Sequence, residues 1–262
     1  MSRSRRFAAL AAVACSAAIG CGGAARAGNE LTVLAAASLT KPLEAAGGAY
    51  EAAHPGVRVR LSFDSSAALR TQIEQGAPAD LFLSADATNP QRLADAGRGG
   101  RPQPFATNEL VIIVPAHGRS PVLKPADLAA AGVSVIAAGP EVPITIYATE
   151  LLARLAELPG YPADFVARYE ANVVSREDNV RAAVAKIELG EGDAAIVYRT
   201  DAAASTRVSP IEVPASAQVT ATYAGIVVAD AAAAGEAGRF LEWLAGPEGR
   251  AILAEAGFGP PP

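Results

Sequence analysis

Short apolar runs alternate along the chain with stretches whose apolar residues recur at helical spacing. Leu31–Ala37 reads as a strand, and Ser38–His54 as a helix with Leu39, Leu43, Ala46 and Tyr50 on one face. Pro42 falls in the first turn of that helix, where a missing N–H does least harm. Val57–Phe63 alternates apolar and polar residues, as a half-buried strand does. A helix over Ser65–Gln75 ends at Gly76, and Ala79–Ser84 is the next strand. Leu110–Val114 is the most apolar strand of the chain, followed by a strand at Val133–Ala137. Helices are predicted over Pro143–Leu158, which stops at Pro159-Gly160, and over Asn179–Leu189, which ends at Gly190. Ala194–Tyr198 is a buried strand, Val219–Val228 a long one, and Arg239–Ala256 one or two helices around Gly246-Pro247. Strand and helix in alternation imply an α/β fold with mixed, mostly parallel sheets covered by helices.

The first 27 residues break this pattern and read as an export signal. Arg3, Arg5 and Arg6 precede the apolar run Phe7–Ile19, which is too short to span a membrane as a stable helix. Two ends of the signal are open. Ala25-Arg26-Ala27 fits cleavage to a soluble chain beginning at Gly28, whereas Ala18–Cys21 fits a lipoprotein signal ending before a lipidated Cys21. Both cysteines, Cys15 and Cys21, lie in this leader, so no disulfide is expected in the folded part. The leader carries four arginines and no acids, and its removal takes the net charge from −5 to −9. An acidic chain without a basic stripe argues against a nucleic-acid partner. With 51% hydrophobic residues, a real core is within reach.

Several chemistries lack their residues. The chain has no Gly-x-Ser-x-Gly elbow, no Walker A loop and no His-Glu-x-x-His. Gly190-Glu-Gly192 precedes a strand, and so reads as a turn. The two histidines, His54 and His117, share no ligand spacing. Asp80 and Asp86 read as solvated turn acids or caps at strand ends. What remains is the type of residue that opens each helix: Ser38, then Ser65-Ser66, then Pro143-Ile144-Thr145, then Asn179-Val180. Helix N-termini carry free N–H groups and a positive dipole end, and serine adds a hydroxyl donor. Several such ends facing one cleft would bind an oxyanion with no formal positive charge. Any one of these residues alone is as well explained as an ordinary cap.

The blocks Ala35–Leu39, Ser62–Ser66, Gln72–Asp86, Ala106–Val111, Glu177–Arg181, Gly192–Tyr198 and Gly246–Gly249, closing with Gly257-Phe258, occur in order. Together they resemble the periplasmic molybdate-binding proteins, the substrate-binding components of molybdate ABC transporters, from about Leu31 to Phe258. The resemblance implies a type II periplasmic-binding-protein fold of two lobes with the ligand cleft between them. Lobe one would comprise 28–107 plus 223–262, and lobe two 108–222, joined by crossing strands near 105–112 and 219–226. It implies a molybdate or tungstate ligand, no cofactor, no enzymatic activity, a cognate permease in the inner membrane, a periplasmic location and a monomer. Ser38 and Ser66 would supply hydroxyl and backbone donors, Ile144 and Val180 backbone N–H groups, and Tyr198 its phenol. The metal would be reached only through the oxygens of the anion. Ile144 stands where the family usually has a small residue, which leaves Thr145 as an alternative donor. Two other readings are open. One is a different tetrahedral oxyanion such as sulfate. The other is an exported serine hydrolase using Ser38 or Ser66, although neither histidine lies in a helix-opening block.

Overall fold

The computed structural model describes residues 30–262, so the leader with both cysteines and both candidate cleavage sites lies outside the described residues. The strands are β1 (Glu30–Ala36), β2 (Arg58–Asp64), β3 (Leu81–Ser84), β4 (Gln103–Pro115), β5 (Val135–Ala138), β6 (Val173–Glu177), β7 (Ala195–Tyr198), β8 (Val208–Ile211) and β9 (Thr220–Val227). The α-helices are α1 (Thr40–Ala53), α2 (Ser66–Glu74), α3 (Thr88–Asp95), α4 (Pro143–Ala156), α5 (Phe165–Asn172), α6 (Val180–Glu188), α7 (Arg199–Ala203), α8 (Ala234–Ala245) and α9 (Pro247–Glu255). A 3-10 turn, Ala37–Leu39, joins β1 to α1 and holds Ser38.

The main sheet runs β2-β1-β3-β9-β4-β7, with β8 also on β4, and β5 and β6 form a second small sheet. β1 pairs in parallel with β2 and β3, and β5 in parallel with β6. The centre is antiparallel: β9 against β3, and β4 against β9, β7 and β8. The sheets are therefore mixed as expected, but less parallel than strand–helix alternation alone implies. The reason is the two long strands. β4 pairs with β9 over Gln103–Glu109, then changes partner and pairs with β7 from Leu110 onward. Asn108 stands at that change of partner.

Each face of β1 and β3 buries a different set. Leu31, Val33 and Leu83 join Leu43, Ala46 and Tyr50 of α1 and Phe240 and Leu244 of α8 in the main core. Leu34 and Phe82 point the other way, onto Leu69, Ile73 and Leu93 of α2 and α3. Tyr50, Leu39, Leu43 and Ala46, the residues that predicted the first helix, are fully buried. Gly225 of β9 lies where a Cβ would come within 2.6 Å of Leu241 and 2.7 Å of Leu83, so α8 can sit on the strand only because the residue is glycine. Gly76 has φ +88, the left-handed backbone with which α2 ends.

Asp80 and Asp86 are not solvated. Asp80 accepts backbone N–H groups from Thr32 at 2.8 Å and Ala233 at 2.9 Å, tying β1 to the segment before α8. Asp86 accepts from Ser84 Oγ and from the backbone and side chain of Asn89, and so caps α3. Both are buried because each carboxylate takes over N–H groups that would otherwise be left dry. Burial still pushes the Asp86 carboxyl above its ordinary range.

Candidate functional site

Ser38, Ser66, Ile144, Val180 and Tyr198 line one small pocket, although they are spread over 161 positions of the chain. Each is at most 6% exposed. Three α-helices and the 3-10 turn before α1 begin at this point. Ser65 caps α2 by accepting from Ala68 N at 3.3 Å, and Asn179 caps α6 by accepting from Ala182 N at 3.1 Å. Ser66 and Val180 are therefore the first residues of their helices, and Ile144 the second residue of α4 after Pro143. A helix offers no acceptor of its own to backbone N–H groups at these positions. Four element starts thus direct dipoles and N–H groups at one spot, and no charged side chain lines it.

Ile144 and Thr145 separate cleanly. Ile144 lines the pocket with its side chain packed in the main core. Thr145 donates its hydroxyl to Ala138 O at 3.0 Å and is not part of the lining. A bulky residue is accommodated at position 144 because its side chain turns into the core.

Ser66 Oγ accepts the Ala85 N–H at 3.0 Å, and Ser38 Oγ lies 2.9 Å from Tyr223 Oη. Tyr198 differs. Among the described residues, the buried side-chain polar atoms with no hydrogen-bond partner are Tyr198 Oη and both carboxylate oxygens of Asp201. The Tyr198 ring packs edge-on against Tyr223 at 5.6 Å and Tyr147 at 6.4 Å, which fixes where its hydroxyl sits. Burial pushes the Tyr198 phenol well above its usual range, so it keeps its proton and can donate. The same cause lifts Tyr147 to about 12. Asp201, in the first turn of α7, is pushed up to about 7 by burial, with the Arg181 charge and the Tyr198 backbone opposing.

Sequence reasoning left Tyr223, Asn108 and Thr200 without roles. They form a buried chain behind Ser38, with Asn108 Nδ2 donating to Thr200 Oγ1 at 2.8 Å and lying 3.5 Å from Tyr223 Oη. The available signal was weak: Asn108 sits inside a block that carries the family resemblance, and Tyr223 is one aromatic in a long strand. Neither histidine approaches the serines. His54 stacks on Tyr50 at 3.9 Å, and His117 lies exposed beyond the end of β4. Ser38 and Ser66 therefore lack the base that a serine nucleophile needs.

Residues 31–259 match the family of bacterial extracellular solute-binding proteins. The chain belongs to that family. It is a family of binding proteins rather than enzymes, and the fold is the type II binding-protein arrangement of two lobes with a cleft between them. The molybdate-binding protein ModA of Mycobacterium tuberculosis H37Rv is 33% identical over 235 residues, covering 89% of this chain and 85% of that one. The periplasmic molybdate-binding protein of Azotobacter vinelandii superposes with a TM-score of 0.73 at 26% identity, over 88% of this chain and 100% of that one. The sulfate-binding protein SubI of M. tuberculosis superposes at 0.77 with 25% identity, over 88% and 87%. Among the described residues, no helix is long and apolar enough to cross a membrane, and no cluster of His, Cys, Asp and Glu could hold a metal ion directly.

Proposed function

We propose that this protein captures molybdate, and tungstate equally well, and delivers it to an ABC permease in the inner membrane. The observation that carries the reading is the neutral pocket where four element starts meet the hydroxyls of Ser38, Ser66 and Tyr198, with Tyr198 Oη buried and unpartnered. Buried hydroxyls are ordinarily paired, so this one fits a ligand oxygen as its acceptor. Ser38 and Ser66 would bind through hydroxyl and backbone, Ile144 and Val180 through backbone N–H, and Tyr198 through its phenol. Charge-assisted hydrogen bonds contribute roughly 1.5–3 kcal/mol each, and several are needed to offset stripping water from a dianion. No bond is made or broken.

The donors come from both halves of the chain. Lobe one is taken as 28–107 plus 223–262 and lobe two as 108–222, so a bound anion bridges them and favours the closed arrangement. Lys41 Nζ donating to Ala204 O and the Asn179–Asp64 hydrogen bond span the same division. The working location is the periplasm, as a monomer, either free after cleavage at Ala27 or held by lipid on Cys21.

Sulfate is the second reading, supported by the resemblance to SubI. Calorimetric titration with molybdate, tungstate, sulfate and hydrogen phosphate decides between them. Molybdate and tungstate, close in size, should bind alike and sulfate far more weakly. Sulfate binding as tight as molybdate binding overturns the assignment.

A further inference from the structure

A second chamber lies beside the anion pocket and shares Ser38 with it. With the lobes taken as above, Lys41, Glu255 and Phe258 line it from lobe one, and Arg181, Thr200 and Asp201 from lobe two. Lys41 Nζ reaches across to Ala204 O at 2.6 Å and ties the two walls together. Asp201 is 2% exposed, and among the described residues neither of its carboxylate oxygens has a hydrogen-bond partner. A buried carboxylate with no partner must find one or give up its charge.

The surroundings decide which. Arg181 on α6 and Lys41 on α1 face the same chamber, so a metal ion would enter against two cations. Glu255 on α9 is the other carboxyl there. The phenols of Tyr198 on β7 and Tyr223 on β9 feel the Asp201 charge, and burial keeps both protonated. On α7 itself Arg199 is held by Glu109 of β4 and by Glu212, and Glu188 of α6 is taken by Ser205. β8 brings no titratable side chain. A proton neutralises the carboxyl without needing room or further ligands.

We propose that Asp201 is a proton-binding site worked by lobe closure: capture of the anion takes one proton onto its carboxyl, and release returns it. This rests on the oxyanion reading above. Parting the lobes removes the wall of Lys41, Glu255 and Phe258, and water then hydrates the carboxylate. Closure strips that water, so the same carboxyl holds its proton more tightly in the closed form. In the closed arrangement burial pushes it up to about 7, with the Arg181 charge and the Tyr198 backbone opposing. Linkage is reciprocal: if closing favours the proton, the proton favours closing. Affinity is therefore greatest on the acid side, falls as pH rises toward the closed-form value, and is level above it.

The test is calorimetric titration with molybdate at about pH 6 and about pH 8.5, each in two buffers of different ionisation enthalpy, which counts the protons exchanged. The parent should take up close to one proton per anion at the lower pH and almost none at the higher, with affinity falling roughly tenfold between them. Asp201→Asn should take up none and bind equally at both. Glu255→Gln should keep the parent's proton count, and thermal melting checks that both variants fold. A parent that takes up no proton overturns the site. So does uptake that survives in Asp201→Asn or is lost in Glu255→Gln. If Asp201→Asn does not fold, infrared difference spectra of the parent and Glu255→Gln decide. A protonated-carboxyl band must appear in both when molybdate is added at the lower pH, and its absence overturns the proposal. A parent that binds no molybdate at either pH refutes the oxyanion reading itself, a result distinct from binding without proton uptake.

Discussion

The regions on the two sides of the pocket treat their buried polar groups in opposite ways. On the side built from β1, β2 and β3, Ser38, Ser66, Asp80 and Asp86 all have protein partners. On the side that ends in β7 and α7, Tyr198 Oη and the Asp201 carboxylate have none among the described residues. On the first side each of these side chains is held by a protein partner before anything binds. The second keeps unsatisfied groups, which lowers stability and leaves a free donor for a ligand. Satisfaction of the hydrogen bonds separates the two sides better than composition does, because both are lined by neutral residues.

Asp201→Asn should show the largest effect. Raising a carboxyl from 3.8 to about 7 on folding means that the unfolded chain releases the proton first. The protein therefore has its full stability from this group below the unfolded value and loses it as pH rises through the folded one. The shift corresponds to up to about 4 kcal/mol, at ~1.4 kcal/mol per unit. Denaturant melts should show the parent weakening from acid to mildly alkaline pH and Asp201→Asn holding steady. Parallel pH profiles would mean that Arg181 and the Tyr198 backbone offset the burial of the carboxylate.

Tyr198→Phe and Ser66→Ala form the sharpest contrast. Removing the unpartnered phenol should raise the melting temperature of the free protein by the equivalent of about 1 kcal/mol, while molybdate affinity drops roughly tenfold to a hundredfold. Removing the Ser66 hydroxyl should lower affinity by a similar factor and also destabilise the fold, by roughly 1–3 kcal/mol, because the Ala85 N–H loses its acceptor. If both substitutions move stability in the same direction, the difference between the two sides disappears. Calorimetry for affinity and thermal melting without ligand for stability read the two quantities separately.

Val180→Ala should have the smallest effect on binding. The backbone N–H survives, and affinity should change less than about twofold, within the ~0.4 kcal/mol that such a ratio represents. The side chain is buried in the main core, so stability should fall by about 1 kcal/mol or more. A large loss of affinity with little loss of stability would show that the side chain, and not the backbone, touches the ligand.

The local pattern carried the elements whose apolar residues repeat strongly. Leu39, Leu43, Ala46 and Tyr50 gave away the first helix, and the alternation from Val57 to Phe63 gave away a half-buried strand, which the sheet order places at the edge. It failed where few residues are buried. α5 buries only Phe165 and Tyr169, and Val174 of the adjoining β6 is 60% exposed, so neither element rises above a loop in the sequence. The start of α8 at Ala234 was missed because Gly235 and Gly238 disfavour a helix, and the packing of Ala237 and Phe240 overrides them.

The chain alone also determined that its helices open with neutral donors and that its two histidines share no ligand spacing. Only the tertiary structure decided that four of these openings meet at one point, that Ile144 and not Thr145 lines it, and that Asn108, Tyr223 and Thr200 stand behind Ser38. The physical reason is distance along the chain. Ser38 and Tyr223 are 185 positions apart and Asn108 and Thr200 are 92, and they come together because β9 pairs with both β3 and β4, and β4 passes from β9 to β7 just beyond Asn108. Residue periodicity reports which face of an element is buried, but it says nothing of which distant strand will lie beside it.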